Sequence, residues 1–81
     1  MTVLQRKQID YTVVCVNEFA KRKKIHSTEA FCYLDKYKGI QFLKENYEIE
    51  HTLSIEDAID DLELICKNNG GHLWYSYITR D

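Results

Sequence analysis

The sequence predicts an all-α fold: mainly a compact four-helix domain, followed by a short C-terminal strand or an extended tail. Three observations predict it. There is no proline, and the only glycines among 81 residues are Gly39, Gly70 and Gly71, so little in the chain interrupts a helix. Apolar residues recur at spacings of three and four, the period of one helix face. Ser27 and Ser54 each stand just before such a stretch, where an N-cap belongs.

The first helix is expected from about Val3 to Lys24. Ile9, Val13, Val16 and Ala20 form its stripe, and Cys15 and Phe19 widen it. Val13, Val14 and Val16 are β-branched and would suit a strand. The stripe nevertheless persists for about three turns. Lys21, Arg22, Lys23 and Lys24 lie where cations complement the helix dipole. Ser27 is the expected cap of a second helix, Thr28 to about Lys38, with Ala30, Phe31, Leu34 and Tyr37 on its apolar face. Gly39 can take the left-handed conformation that ends a helix. A third helix, Ile40 to about Tyr47, carries Ile40, Leu43 and Tyr47.

Glu48 to Leu53 reads as an extended connector. Ser54 then caps the fourth helix, with Asp57 as an acidic variant of the capping box. Ile55, Ala58, Ile59, Leu62, Ile65 and Cys66 make its stripe, and Asn68, Asn69, Gly70 and Gly71 end it. The organisation is a helical domain over residues 1–71 and an aromatic tail over residues 72–81. Leu73, Trp74, Tyr75, Tyr77 and Ile78 give that tail its character.

Composition sets outer limits. The chain is 44% apolar and 30% charged, as in soluble globular domains. No apolar run approaches the roughly 18 residues of a membrane span. Gln5, Arg6 and Lys7 break the N-terminus before any long apolar region, so a secretory signal is not expected. Three cysteines, an odd count, argue against a disulfide framework. The expected location is the cytoplasm, with Cys15 and Cys66 as buried, reduced thiols.

Few residues have the spacing that chemistry needs. Cys15, Cys32, Cys66, His26, His51 and His72 are potential metal ligands, but no cysteines pair at a two-to-four residue spacing and no two histidines share a helical turn, and no metal or cofactor is expected. Gly70-Gly71 follows a helix, so it terminates and does not cradle phosphate. The remote enzymatic reading uses His51 with Glu48 and Glu50 as an acid–base cluster. On an extended segment, however, His51 would point away from both carboxylates. No catalytic residue is expected.

Charge is the strongest signal. Residues 1–44 carry a net charge of +5 and residues 45–81 a net of −7. Eight acids and no Lys or Arg lie between Glu45 and Glu63. The acids Glu56, Asp57, Asp60, Asp61 and Glu63 exceed what one helix start needs. They would be relieved by a basic partner or by the basic end of the first helix. With the aromatic residues Trp74, Tyr75 and Tyr77, typical interface anchors, they form the expected partner-binding surface. The rival reading is DNA binding through Lys21–Lys24 and a helix-turn-helix around Gly39. The acidic half opposes it.

Asp10-Tyr11 with Cys15 and Phe19-Ala20, Glu29-Ala30-Phe31 with Tyr33-Leu34 and Lys36-Tyr37, and Ile40 with Phe42-Leu43 form a recognisable set. It continues in Tyr47-Glu48-Ile49-Glu50-His51-Thr52-Leu53-Ser54, Glu56-Asp57-Ala58 and Asn69-Gly70-Gly71. Together these resemble a family of short bacterial proteins catalogued as a domain of unknown function. The resemblance covers residues 3–71. It implies a small helical protein without known enzymatic activity, often encoded beside an ADP-ribosyltransferase-like family. The expected function is therefore a non-enzymatic protein-binding module. It would act as an antitoxin or accessory subunit of a toxin–antitoxin-like operon, with that neighbour as partner or with self-association. A DNA-binding regulator is the alternative.

Overall fold

The computed structural model describes residues 1–71 and is all-α over that range. Helix α1 spans Val3–Lys23, α2 Ser27–Lys36, α3 Gly39–Glu45, α4 Tyr47–Glu50 and α5 Ile55–Asn68. The expected tail, residues 72–81 with Trp74, Tyr75 and Tyr77, lies outside the described residues.

Helix α1 opens with a capping box. The Gln5 N–H donates to Thr2 Oγ1 at 3.1 Å and the Thr2 N–H to Gln5 Oε1 at 2.9 Å, which satisfies two of the orphan donors of a helix start. It closes at Lys24, which takes a left-handed conformation (φ 60°), while the Ile25 N–H reaches back to the Ala20 carbonyl at 3.0 Å. The start of α2 lies one residue earlier than expected. His26 is the cap, its N–H donating to Glu29 Oε1 at 3.2 Å, and the Ser27 hydroxyl donates instead to Asn17 Oδ1 at 2.7 Å.

Gly39 does not end α2. The left-handed residue is Lys38 (φ 74°), and Gly39 is buried as the first residue of α3. The reason is space: a Cβ at Gly39 would lie 2.9 Å from Leu34 Cδ2 and 3.2 Å from the Leu34 carbonyl oxygen. Glycine is needed here for close approach of two helices, not for its φ. At the end of α5 the expected terminator is present. Gly70 has φ 91° and the Gly71 N–H donates to the Cys66 carbonyl at 2.8 Å, the Schellman arrangement.

The extended connector expected at Glu48–Leu53 is helical at its start. Asn46 breaks the chain direction (φ −116°), its side chain donates to the Phe42 carbonyl at 3.0 Å, and α4 follows as one helical turn. The turn leaves Ile49 exposed and buries Glu50. That is the reverse of what apolar patterning suggests, which is why the sequence hides this element. Ser54 caps α5 as expected, its Oγ accepting from the Asp57 N–H at 3.1 Å.

One core joins the long helices. Cys15, Val16, Phe19 and Ala20 from α1 meet Ala30 and Leu34 from α2, Leu43 from α3, and Ala58, Ile59, Leu62 and Cys66 from α5. The stripe expected on α1 is corrected at its N-terminal end. Ile9 and Val13 are 48% and 52% exposed, because the core covers only the C-terminal half of α1.

Candidate functional site

Three places gather functional groups. The first is the acidic face of α5. Successive residues turn by about 100° on a helix, so Glu56, Asp60 and Glu63 share one side while Asp57 and Asp61 lie on another. The end of α1 folds against the first group. Arg22 Nη1 donates to Asp60 Oδ1 at 2.6 Å and to Glu63 Oε1 at 2.5 Å, Arg22 Nη2 to the Glu56 carbonyl at 3.3 Å, and Lys23 Nζ to Glu63 Oε2 at 2.6 Å. Burial acts to raise the Glu63 carboxyl, but the hydrogen bonds from Lys23 and Arg22 outweigh it and hold the group below the usual carboxylate range. Of the two sources of relief that the charge pattern admits, a basic partner and the basic end of α1, the end of α1 serves Asp60 and Glu63. Glu56 and Asp57 remain exposed.

The second place is a buried polar cluster between α1, α4 and α5. Glu50 is only 4% exposed and its Oε1 has no hydrogen-bond partner among the described residues. Its neighbours are Asp61, Tyr11 and Cys15. Burial, followed by the hydrogen bond and charge of Asp61, pushes the Glu50 carboxyl up to about 7. Burial likewise raises the Tyr11 phenol, whose hydroxyl has no hydrogen-bond partner among the described residues, and raises the Cys15 thiol. The Tyr11 ring meets Tyr47 edge-on at 5.6 Å, and Tyr47 stacks on His51 at 4.5 Å.

His51 is exposed and its Nδ1 lies 2.7 Å from the Tyr47 carbonyl. The acid–base cluster considered for Glu48, Glu50 and His51 is therefore not assembled. Glu48 and His51 face solvent, Glu50 faces the interior, and no hydrogen bond joins His51 to a carboxylate among the described residues. Nor does any group of three metal-ligating side chains converge among the described residues. Cys15 and Cys66 are buried and free, and Cys32 is exposed. Burial pushes the Cys66 thiol up to about 11.

The third place is a groove of about 570 Å³ between α1 and the α2–α3 pair, with Ile9, Val13, Phe31 and Ile40 as its apolar surface and Gln5, Gln8, Thr12 and Lys44 around it. Phe31, expected in the core, is 46% exposed there. The sequence signals only that α1 has apolar surface to spare, not where this groove lies. α1 has apolar residues on more of its circumference than one core face can use, Val3 and Val14 included.

The helical set quoted from the sequence is matched by a family model over residues 10–69, which takes in the end of α1, all the shorter helices and α5. The chain belongs to DUF3791, a protein family of unknown function. The family match ends before the tail and includes every residue of the Glu50 cluster and of the Arg22 clamp. No curated protein and no solved structure matches the chain.

Proposed function

We propose that this DUF3791 chain is a small, non-enzymatic protein-binding module. In this reading it works in a bacterial cytoplasm as the antitoxin or accessory subunit of an ADP-ribosyltransferase-like protein encoded beside it. The observation that carries the reading is the apolar groove. A domain this small has little apolar surface to spare, yet it leaves Ile9, Val13 and Phe31 about half exposed in one concavity. Contiguous exposed apolar surface of this kind marks interaction sites.

The occupant is an amphipathic helix of the partner. Two helical walls make a trough of the sort that takes a helix, Phe31 supplies an aromatic anchor, and Lys44 is the single charged side chain lining the trough among the described residues. The partner helix should therefore present apolar residues at helical spacing and a carboxylate opposite Lys44. The acidic face of α5 is the weaker candidate, since Asp60 and Glu63 already hold Arg22 and Lys23.

The test is co-expression with the neighbouring ADP-ribosyltransferase-like protein, followed by gel filtration and titration calorimetry. A one-to-one complex that is lost in Val13→Asp and Phe31→Asp, with both variants melting like the wild type, supports the reading. Wild-type affinity in both folded variants overturns it. So does a homodimer lost in the same variants, or duplex DNA binding that falls steeply with salt.

A further inference from the structure

A glutamate that is 96% buried beside an aspartate needs a physical account. Glu50 closes α4 and lies within electrostatic reach of Tyr11 and Cys15 of α1 and of Asp61 of α5. None of these is a cation. No lysine, arginine or histidine pairs with Glu50 or Asp61 among the described residues, since Arg22 and Lys23 are engaged with Asp60 and Glu63. On α3 the titratable residues Lys44 and Glu45 are exposed, and Glu45 accepts from the Gln41 amide at 3.0 Å. On α4 itself Glu48 is exposed, and Tyr47 is occupied with the rings of Tyr11 and His51.

Two bare carboxylates cannot hydrogen-bond to one another, and like charges in contact in a poorly solvated site repel strongly. One shared proton removes both problems. It makes one carboxyl a donor to the other and leaves a single charge on the pair.

We propose that Glu50 and Asp61 form a proton-dependent latch: with one proton shared between them α4 stays seated against α1 and α5, and when that proton is lost Glu50 leaves its site and α4 unseats. The event involves only loss of a proton to solvent. The direction in which burial and Asp61 push the Glu50 carboxyl, up to about 7, places the change near neutral pH. Linkage fixes the sign. The folded chain holds this proton more tightly than the unfolded chain, whose glutamates titrate near 4.3. The contribution of the pair to stability is therefore whole below that value, falls as pH rises, and is lost once pH passes the folded value.

The test combines a direct titration with a variant. Carboxyl-carbon NMR of the full chain should show one glutamate titrating near 7, with hydrogen exchange of the amides of residues 47–53 speeding up above that pH beyond the intrinsic base catalysis. Glu50→Gln, which keeps the shape and cannot ionise, should abolish both effects. Histidines also titrate near neutrality, but wild type and variant carry the same ones, so the difference between them isolates Glu50. If Glu50→Gln does not fold, Asp61→Asn should still lower the Glu50 midpoint. Titration of Glu50 in the ordinary range near 4.3 overturns the proposal, as does exchange in residues 47–53 that has the same pH profile in wild type and Glu50→Gln.

Discussion

Single residues in this domain act through the room they leave as much as through the contacts they make. Gly39 and Lys24 show the two sides of that. At Gly39 an added methyl meets Leu34, a fully buried side chain that cannot swing away, and the Leu34 carbonyl oxygen behind it. Gly39→Ala should destabilise by about 1–3 kcal/mol, the usual cost of overpacking, despite the better helix propensity of alanine. Lys24 poses the opposite problem. Its φ of 60° strains any residue with a Cβ, and its side chain makes no ion pair among the described residues. Lys24→Gly should stabilise by up to about 1 kcal/mol, the relief being partly offset by the larger entropy of glycine in the unfolded chain. Urea melts of the two variants check both signs. Equal shifts in the same direction would show that the two turns are not held as described.

At the scale of elements, the clamp between α1 and α5 controls the acid side of the stability profile. Arg22 and Lys23 favour the ionised form of Glu63, so its folded pKa lies below the unfolded one. Stability from this group is present above the unfolded value and lost as pH falls through the folded value, opposite in sign to Glu50. Glu63→Gln should flatten the loss of stability as pH falls through and below the ordinary glutamate value of about 4.3. The side chains are partly exposed, so Arg22→Ala should cost only about 1 kcal/mol, and less in high salt. Melts over that pH range at low and high ionic strength measure both effects. An acid limb unchanged in Glu63→Gln would show that the clamp does not hold in solution.

Elements differ in how legible they are in the sequence, for reasons that particular residues make plain. Helix α5 is readable because a cap, a stripe and a glycine terminator all agree. Ser54, Ile59, Leu62 and Gly70 each do what local chemistry suggests. Helix α4 is not readable, because a four-residue turn has no period to detect and its buried position holds a glutamate. The groove escapes for a related reason. Periodicity puts Ile9, Val13, Val16 and Ala20 on one line, but cannot tell that the core stops between Val13 and Val16. That boundary depends on where α2 and α3 end, which is tertiary information. The charge pattern was half readable. It identified the basic end of α1 as a source of relief for the acids, and Arg22 and Lys23 take that part.

For the molecule as a whole, the three thiols offer an independent gauge of how firmly the core is closed. Cys32 is exposed, whereas Cys15 and Cys66 are completely buried. Only a thiolate attacks a disulfide reagent, and burial raises both interior thiols, Cys66 to about 11. Cys32 should therefore react at once at neutral pH. The other two should wait for an opening of the fold. A domain of this size has a stability of only a few kcal/mol. If it is about 4 kcal/mol, global opening slows Cys66 about a thousandfold relative to the unfolded chain. Cys66 lies on α5 against the closely packed start of α3, so nothing short of that opening should expose it. Cys15 adjoins the Glu50 cluster and has a second route, through release of α4. In a Cys32→Ser background, the two protection factors should converge at pH 5.5, where the shared proton holds α4 in place. Above pH 7.5 they should separate, with Cys15 reacting faster. Each rate must be referred to the unfolded chain at the same pH, since thiolate formation alone speeds labelling as pH rises. Equal protection of Cys15 and Cys66 at both pH values would mean that the domain opens only as a single unit.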